Sequence, residues 1–309
     1  SVQAARLLLG GFAAAILVGT LLLKLPQASS AEPLGWLDAL FTATSAVCVT
    51  GRIVVDTATR LSLFGQGVVL VLLQAGGLGI MTLTTFFAYL IAGRVSVRGR
   101  ELVEETISGP FSSVGRLLLA IVGFTLVTEL AGAAILSARF AADYGAARSI
   151  WLGSFHAVSA FCNAGFSLFS DSLMHYQSDP VVNFTVMVLI VLGGLGFLVV
   201  YDVTSLREKK GPRRISLHSR LVLRTTASLI LMGTVLILLF DWDTTLRAFS
   251  WPGKLMAALF QSVTARTAGF NTVEIGAMSN ASLLLLIMLM FVGASPGSCG
   301  GGIKTTTFA

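Results

Sequence analysis

The chain has 309 residues, of which 55% are apolar and only 12% charged, with a mean hydropathy of +0.85. A water-soluble domain carries roughly 25% charged residues, so this composition excludes a soluble enzyme or carrier and places the chain in lipid. The net charge of +6 comes from basic residues set between apolar runs rather than from one basic face, which argues against a nucleic-acid partner. Three cysteines, Cys48, Cys162 and Cys299, are too few and too scattered for a disulfide framework or a zinc site. Each is expected to fill a small buried space.

In chain order, the run at 7–23 reads as a first spanning helix rather than a cleavable signal. A stretch at 36–52 follows, opening on Trp36; its apolar part is too short to cross a bilayer and suits a re-entrant loop with an interfacial tryptophan. The run at 63–92 is a second span, followed by Arg94, Arg98 and Arg100, with Arg116 just before the third span at 117–137. A second re-entrant stretch, 151–167, opens on Trp151. A span at 181–201 leads to Arg207, Lys209, Lys210, Arg213, Arg214, Arg220 and Arg224, and then to a span at 221–240. The third re-entrant stretch, 251–271, opens on Trp251. The last apolar run, 282–292, is too short to span unless it resumes after an interruption. The basic connections are expected on the cytoplasmic side, so the re-entrant loops enter from outside and the amino terminus is cytoplasmic.

The pattern helix, pore loop, helix therefore recurs at 1–105, 106–215 and 216–309, always in the same orientation. The expected fold is an all-α integral membrane protein built of parallel repeats around a central pore. The repeats show in the letters. Phe41, Ser45, Cys48 and Gly51 match Phe155, Ser159, Cys162 and Gly165 at identical spacing, and Phe260, Thr264 and Gly269 form a copy one residue shorter.

Each loop ends in one glycine: Val49-Thr50-Gly51, Asn163-Ala164-Gly165 and Thr267-Ala268-Gly269. A dehydrated potassium ion must exchange its water for oxygens at matched geometry, which backbone carbonyls supply if the strand aims them inward. Glycine allows the dihedrals and leaves no side chain in the path. The carbonyls of Thr50, Ala164 and Ala268 are the expected ligands. A single such glycine would read as a packed helix break; three at equivalent positions read as a selectivity filter.

A second motif, 293–304, includes Gly293, Ser295, Pro296, Gly297, Gly300, Gly301, Gly302 and Lys304 and cannot form a regular helix. It interrupts the sixth span midway, where a loop would obstruct an ion path and gate it. Ile303 stands where a phosphate loop needs glycine before its lysine, so nucleotide binding by this segment is excluded. Glu129 and Gln74 lie inside spans; Glu129 reads either as a tie between repeats or as a proton site of a proton- or sodium-coupled cation transporter. Asp56, after the first filter segment, reads as a cation attractor or as solvated surface charge. His156 reads as a hydrogen-bonded core residue. No nucleophile–base or metal-ligand spacing is present, so enzymatic activity is not expected.

At segments 42–57, 155–169, 264–271 and 290–308 the chain resembles the KtrB-type membrane subunits of bacterial Ktr potassium-uptake systems, in the Trk/Ktr/HKT superfamily. The resemblance implies a homodimer in the bacterial plasma membrane with one pore per subunit. It also implies a cytoplasmic KtrA-type ring that binds ATP or ADP, sodium stimulation, no covalent cofactor, and gating by 293–304. It implies four repeats, so the fourth is expected beyond the third read here, and leucine at the position held by Arg52.

Overall fold

The computed structural model describes residues 2–92, 114–205 and 215–308. Arg94, Arg98, Arg100, Arg207, Lys209, Lys210, Arg213 and Arg214, on which the orientation argument leans, lie outside them. Among the described residues the chain is helical and has no strand beyond two isolated bridges.

The first unit comprises α1 (Val2–Lys24), a short α2 (Trp36–Val47), a single turn α3 (Thr57–Arg60) and α4 (Leu63–Ala92). The second comprises α5 (Val114–Tyr144), α6 (Ala146–Phe161), α7 (Pro180–Leu195) and α8 (Phe197–Ser205). The third comprises α9 (Leu217–Asp241), α10 (Trp251–Thr264), α11 (Asn280–Phe291) and a terminal turn α12 (Thr305–Phe308). Helix starts follow capping chemistry. Asp179, Ser216 and Ser279 accept hydrogen bonds from the backbone N–H groups of Val182, Ser219 and Ser282, and Pro180 occupies the first turn of α7.

Among the described residues, three helices are long and apolar enough to cross a membrane, within Leu63–Thr82, Leu117–Tyr144 and Leu217–Asp241. Only 22% of the apolar window in Leu117–Tyr144 is buried inside the protein, so most of its outward face is hydrocarbon that water would not tolerate. Leu17, Val127, Leu231 and Ile287 are likewise exposed. The short helices α2, α6 and α10 pack inside this outer layer. One apolar core joins the first two units and receives Phe260, Val263, Ala268 and Phe270; a second holds the third unit together.

Three expectations need correction. The fourth apolar run is not one helix: α7 and α8 meet at 99°. Gly196 takes φ +85° there, a left-handed conformation that ends a helix readily. The second re-entrant helix starts at Ala146, so Trp151 lies within it, donating its indole N–H to Gln66 Oε1 at 2.8 Å across the unit boundary. Cys162 and Cys299 are buried, but Cys48 is exposed.

Candidate ion-conduction site

Each short helix ends and turns sharply into the segment carrying its glycine, and the three segments share one backbone conformation. Val49 (φ 53°) and Gly51 (71°), Asn163 (57°) and Gly165 (68°), and Thr267 (72°) and Gly269 (88°) are left-handed, while the residue between each pair is not. Non-glycine residues rarely adopt this conformation, and for the β-branched Val49 and Thr267 it is costly. Alternating handedness turns successive carbonyls toward one side of a strand.

The conformation is locked in the same way three times. The amides of Thr50 and Ala164 donate to the carbonyls of Ser45 and Ser159 at 2.9 and 2.8 Å, and that of Ala268 to Thr264 at 2.9 Å. The side chains return the favour one step further on. The Ser45, Ser159 and Thr264 hydroxyls donate to the carbonyls of Arg52, Phe166 and Phe270, each at 2.7 Å. A hydroxyl in the last turn of each short helix thus fixes the residue just beyond the glycine. Sequence reading aligned these hydroxyls without giving them a task; their recurrence at one position in every copy was the available signal.

The segments converge. A Cβ on Gly51 would lie 2.4 Å from the Ala164 carbonyl oxygen, and one on Gly165 would lie 2.5 Å from that of Ala268. Neighbouring strands therefore run in order around a common axis, with the Ala164 and Ala268 carbonyls facing the adjoining glycine. The C-terminal ends of α2, α6 and α10, which carry the negative end of the helix dipole, all lead into this point.

The glycine-rich segment sits at the amino-terminal end of these strands. A Cβ on Gly300 would lie 2.7 Å from Thr267 Oγ1 and 3.3 Å from Asn163 Nδ2. The segment folds back on itself through Gly293 N–H to Ile303 O (3.1 Å) and Ala294 N–H to Gly301 O (3.0 Å). It is held to the α7–α8 bend by Ser295 N–H to Gly194 O (2.9 Å), Cys299 N–H to Gly193 O (3.1 Å) and Phe197 N–H to Gly297 O (3.2 Å). Two cations grip it. Arg266 Nη2 donates to Gly293 O, and Lys304 Nζ donates to Gly300 O at 2.7 Å.

The three units treat this level of their second helix differently. In α4, Gly76 lies against the Val47 carbonyl and the helix continues. In α7, Gly193 lies against the Phe161 carbonyl and the helix bends three residues later. In the third unit, the helix opens into 293–304 and turns helical again only at Thr305.

The remaining candidates fall into place around this axis. Glu129 is 4% exposed and accepts from Gln74 Nε2 at 2.9 Å and from the Cys162 thiol at 3.9 Å, tying α5 to α4 and to the end of α6. His156 bonds through its ring nitrogens with Leu152 O (2.8 Å) and Ser167 Oγ (3.0 Å), and its ring stacks on Phe169 with centroids 4.7 Å apart. Asp56 caps α3 and accepts the Ser170 hydroxyl, joining the loops that follow the first two strands. Burial opposes ionisation of Asp56, but the hydrogen bonds from Ser170, Ala58 and Thr59 outweigh it and hold its carboxyl below the ordinary range. Ser172 and Asn271 join the loops that follow the second and third strands. Arg52 is exposed beside Gly51 with no ion-pair partner; among the described residues the ion pairs are those of Arg139 with Asp143 and Asp179. No group of three or more metal-binding side chains exists among the described residues.

These features define a multi-pass membrane protein in which re-entrant loops converge on an axis. A family model described as a cation transport protein, TrkH, matches residues 12–309, and the chain belongs to that family. It is 43% identical over 301 residues to the "Ktr system potassium uptake protein B" of Bacillus subtilis (strain 168), covering 96% of this chain and 67% of that protein. It is 40% identical over 305 residues to the "Potassium/sodium uptake protein NtpJ" of Enterococcus hirae, covering 98% and 67%. The fold matches the crystal structure of the potassium transporter TrkH from Vibrio parahaemolyticus with a TM-score of 0.70 at 21% identity, over 96% of this chain and 59% of that one. The chain thus spans 67% of the length of those two uptake proteins and 59% of the TrkH chain.

Proposed function

We propose that the chain supplies three strands of a selectivity filter for potassium uptake, with residues 293–304 as the gate beneath it. The observation that carries this reading is the convergence of three left-handed strands, with the Ala164 and Ala268 carbonyls pressed against Gly51 and Gly165. Such oxygens replace the hydration shell of a monovalent cation. The names of the relatives, potassium uptake and potassium/sodium uptake, support potassium as the cargo and sodium as a second ion.

Thr50, Ala164 and Ala268 are the carbonyl donors in this reading, and the flanking Val49, Gly51, Asn163, Gly165, Thr267 and Gly269 set the strand. Gly293, Ser295, Pro296, Gly297, Gly300, Gly301, Gly302 and Lys304 form the gate. The membrane is the bacterial plasma membrane, with the amino terminus in the cytoplasm. The working assembly is a homodimer on a KtrA-type ring whose ATP or ADP sets the gate, and the filter is completed by a fourth loop. Glu129 acts as a tie, because its carboxyl is engaged by Gln74 and Cys162.

The test is uptake by the full-length protein in cells lacking their own potassium uptake. Growth at low potassium is expected, with Gly51→Ser lowering the preference for potassium over sodium, since that glycine is left-handed and closely abutted. Shortening 295–301 is expected to raise flux and weaken nucleotide control. Absence of growth with correctly inserted protein would overturn the reading. Strictly proton-coupled uptake abolished by Glu129→Gln would replace it with the coupled transporter.

A further inference from the structure

Cys162 and Arg266 stand at equivalent positions, each three residues before the glycine of its strand and at or just past the end of its short helix. Both reach the glycine loop. Arg266 holds the carbonyl of Gly293, and the thiol of Cys162 is in hydrogen-bond contact with that of Cys299. Both cysteines are buried, whereas Cys48, at the same position in the first unit, is exposed. A thiol has one hydrogen to give. That of Cys162 goes to Glu129 Oε1 at 3.9 Å, so the S–H between the two sulfurs is that of Cys299.

The backbones of the two segments run side by side. The Gly193 carbonyl accepts the Cys299 amide at 3.1 Å, while a Cβ on the same glycine would strike the carbonyl of Phe161, the residue before Cys162. One residue further on, a Cβ on Gly300 would lie 3.3 Å from Asn163 Nδ2. Gly77 leaves the Cys162 sulfur its space, since an added Cβ there would lie 2.5 Å from it. As a hydrogen-bonded tie this pair is poor, because sulfur is a weak donor and a weak acceptor. What two thiols add, and two hydroxyls would not, is oxidation.

We propose that Cys162 and Cys299 are a modification site: a peroxide joins them in a disulfide, which locks the glycine loop onto the end of α6. The lock rests on the reading of 293–304 as the gate; the bond itself does not. Burial alone leaves a thiol inert, but Glu129 already accepts the Cys162 hydrogen and is the base within reach. Hydrogen peroxide, little larger than water, follows the hydrated ion path to the loop. Cys162 gives its proton to Glu129 and its sulfur attacks one peroxide oxygen. The O–O bond breaks, and the departing hydroxide recovers the proton from Glu129 as water. The Cys299 sulfur then attacks the sulfenic acid; the S–S bond forms, the S–O bond breaks, and the hydroxyl leaves with the Cys299 proton as a second water. The two thiols lose two electrons and the peroxide gains them. A dithiol reductant reverses the bond by exchange.

The experiment uses the full-length protein with Cys48→Ser, which removes the exposed thiol. It is placed in proteoliposomes and treated with hydrogen peroxide and then dithiothreitol, with peptide masses and potassium uptake read at each stage. Peroxide should give a peptide pair joined through Cys162 and Cys299 and lower uptake by about tenfold or more, and the reductant should reverse both. Adding Cys299→Ser should abolish the joined pair and make uptake the same with and without peroxide, whatever its own basal rate. Absence of the joined pair in the parent protein, or sulfinic acid at either cysteine in its place, overturns the proposal whatever uptake does. A joined pair with undiminished uptake leaves the bond standing but overturns the gate reading, and the lock with it. Equal loss of uptake with and without Cys299 places the oxidation elsewhere and also overturns the lock. The peptide masses of the parent protein decide the bond even if Cys299→Ser fails to fold.

Discussion

The guanidinium of Arg266 donates to the carbonyl of Gly293 across 3.2 Å, so the residue just beyond the C-cap of the third short helix holds the first residue of the glycine loop. Arg266 is 7% exposed, its Nε has no partner, and its Nη2 bond to Gly293 ties it to the loop. Arg266→Met should therefore loosen the loop without leaving an unpaired charge. Lys304→Met should do the same through Gly300. A hydrogen bond from a charged donor is worth about 1.5–3 kcal/mol, so loop opening should rise about tenfold or more, read as higher maximal uptake. Unchanged uptake in both variants would show that the loop is not the barrier.

The hydroxyl clamps set the carbonyls beyond each glycine. Thr264→Val and Ser159→Ala should each lower thermal stability by about 1 kcal/mol and lower ion preference, because a freed carbonyl lets its strand relax. Thr264→Ser, which keeps the donor to Phe270, should retain both properties. Measurements of unfolding in detergent and of potassium/sodium competition separate stability from selectivity.

A methyl group on Gly193 would lie 1.8 Å from the Phe161 carbonyl oxygen, a backbone atom that cannot step aside. Gly193→Ala should cost about 1–3 kcal/mol or more through overpacking and reduce recovery of monodisperse protein. Gly123→Ala provides the contrast. Nothing lies within 4 Å of its added Cβ, so it should be neutral or stabilise α5 by up to about 1 kcal/mol. Equal behaviour of the two variants would mean that α7 does not pass as close to α6 as described.

Asp56 supplies a pH prediction. Its carboxyl is held below the ordinary value of about 3.9, so its stabilisation is complete above that value and is lost as pH falls through the lower, folded value. Between pH 5 and 8 on the outer side (roughly, taking that reference value) the tie to Ser170 stays intact. Asp56→Asn should lower the unfolding temperature at neutral pH, and the gap to wild type should close in the acid range. A gap that persists at low pH would assign the effect to capping by the uncharged side chain.

Arg52 stands exposed just beyond Gly51, at the carboxyl end of the first strand, without an acidic partner among the described residues. A unit charge about 10 Å from an approaching ion in water raises its energy by roughly 0.4 kcal/mol. Arg52→Leu should therefore lower the potassium half-saturation about twofold at low ionic strength, with the difference vanishing at high salt. A salt-independent effect would point to packing rather than field.

Much of the architecture was legible because hydrophobic length separates a spanning helix from a re-entrant one, and because the Phe–Ser–Cys–Gly spacing repeats. The bend at Gly196 was not, since an apolar run reads the same whether straight or folded. The run around Gly193, Gly194 and Gly196 was the cue, and it resembles the run at Gly76, Gly77 and Gly79, through which α4 stays straight. Local letters cannot tell the two apart; what differs is the glycine loop, whose Cys299 and Ser295 amides donate to the carbonyls of Gly193 and Gly194. The left-handed Val49 and Thr267 were hidden for a related reason. Their conformation is imposed by bonds from neighbouring backbone and hydroxyls, against their own preference.

The right-angled joint between α7 and α8 has a mechanical corollary. Phe197, the first residue of α8, donates its amide to Gly297, at the tip of the glycine loop, and Gly196 lies against Pro296 and Gly297. Helix α8 is thus the arm of a crank whose pivot is Gly196 and whose pin is the loop. In sequence, its last residue, Ser205, precedes the basic stretch from Arg207 to Arg214. Any rotation of α8 about Gly196 therefore has to displace the Phe197–Gly297 bond, so the position of this short helix and that of the glycine loop are set together, whatever the long spanning helices do.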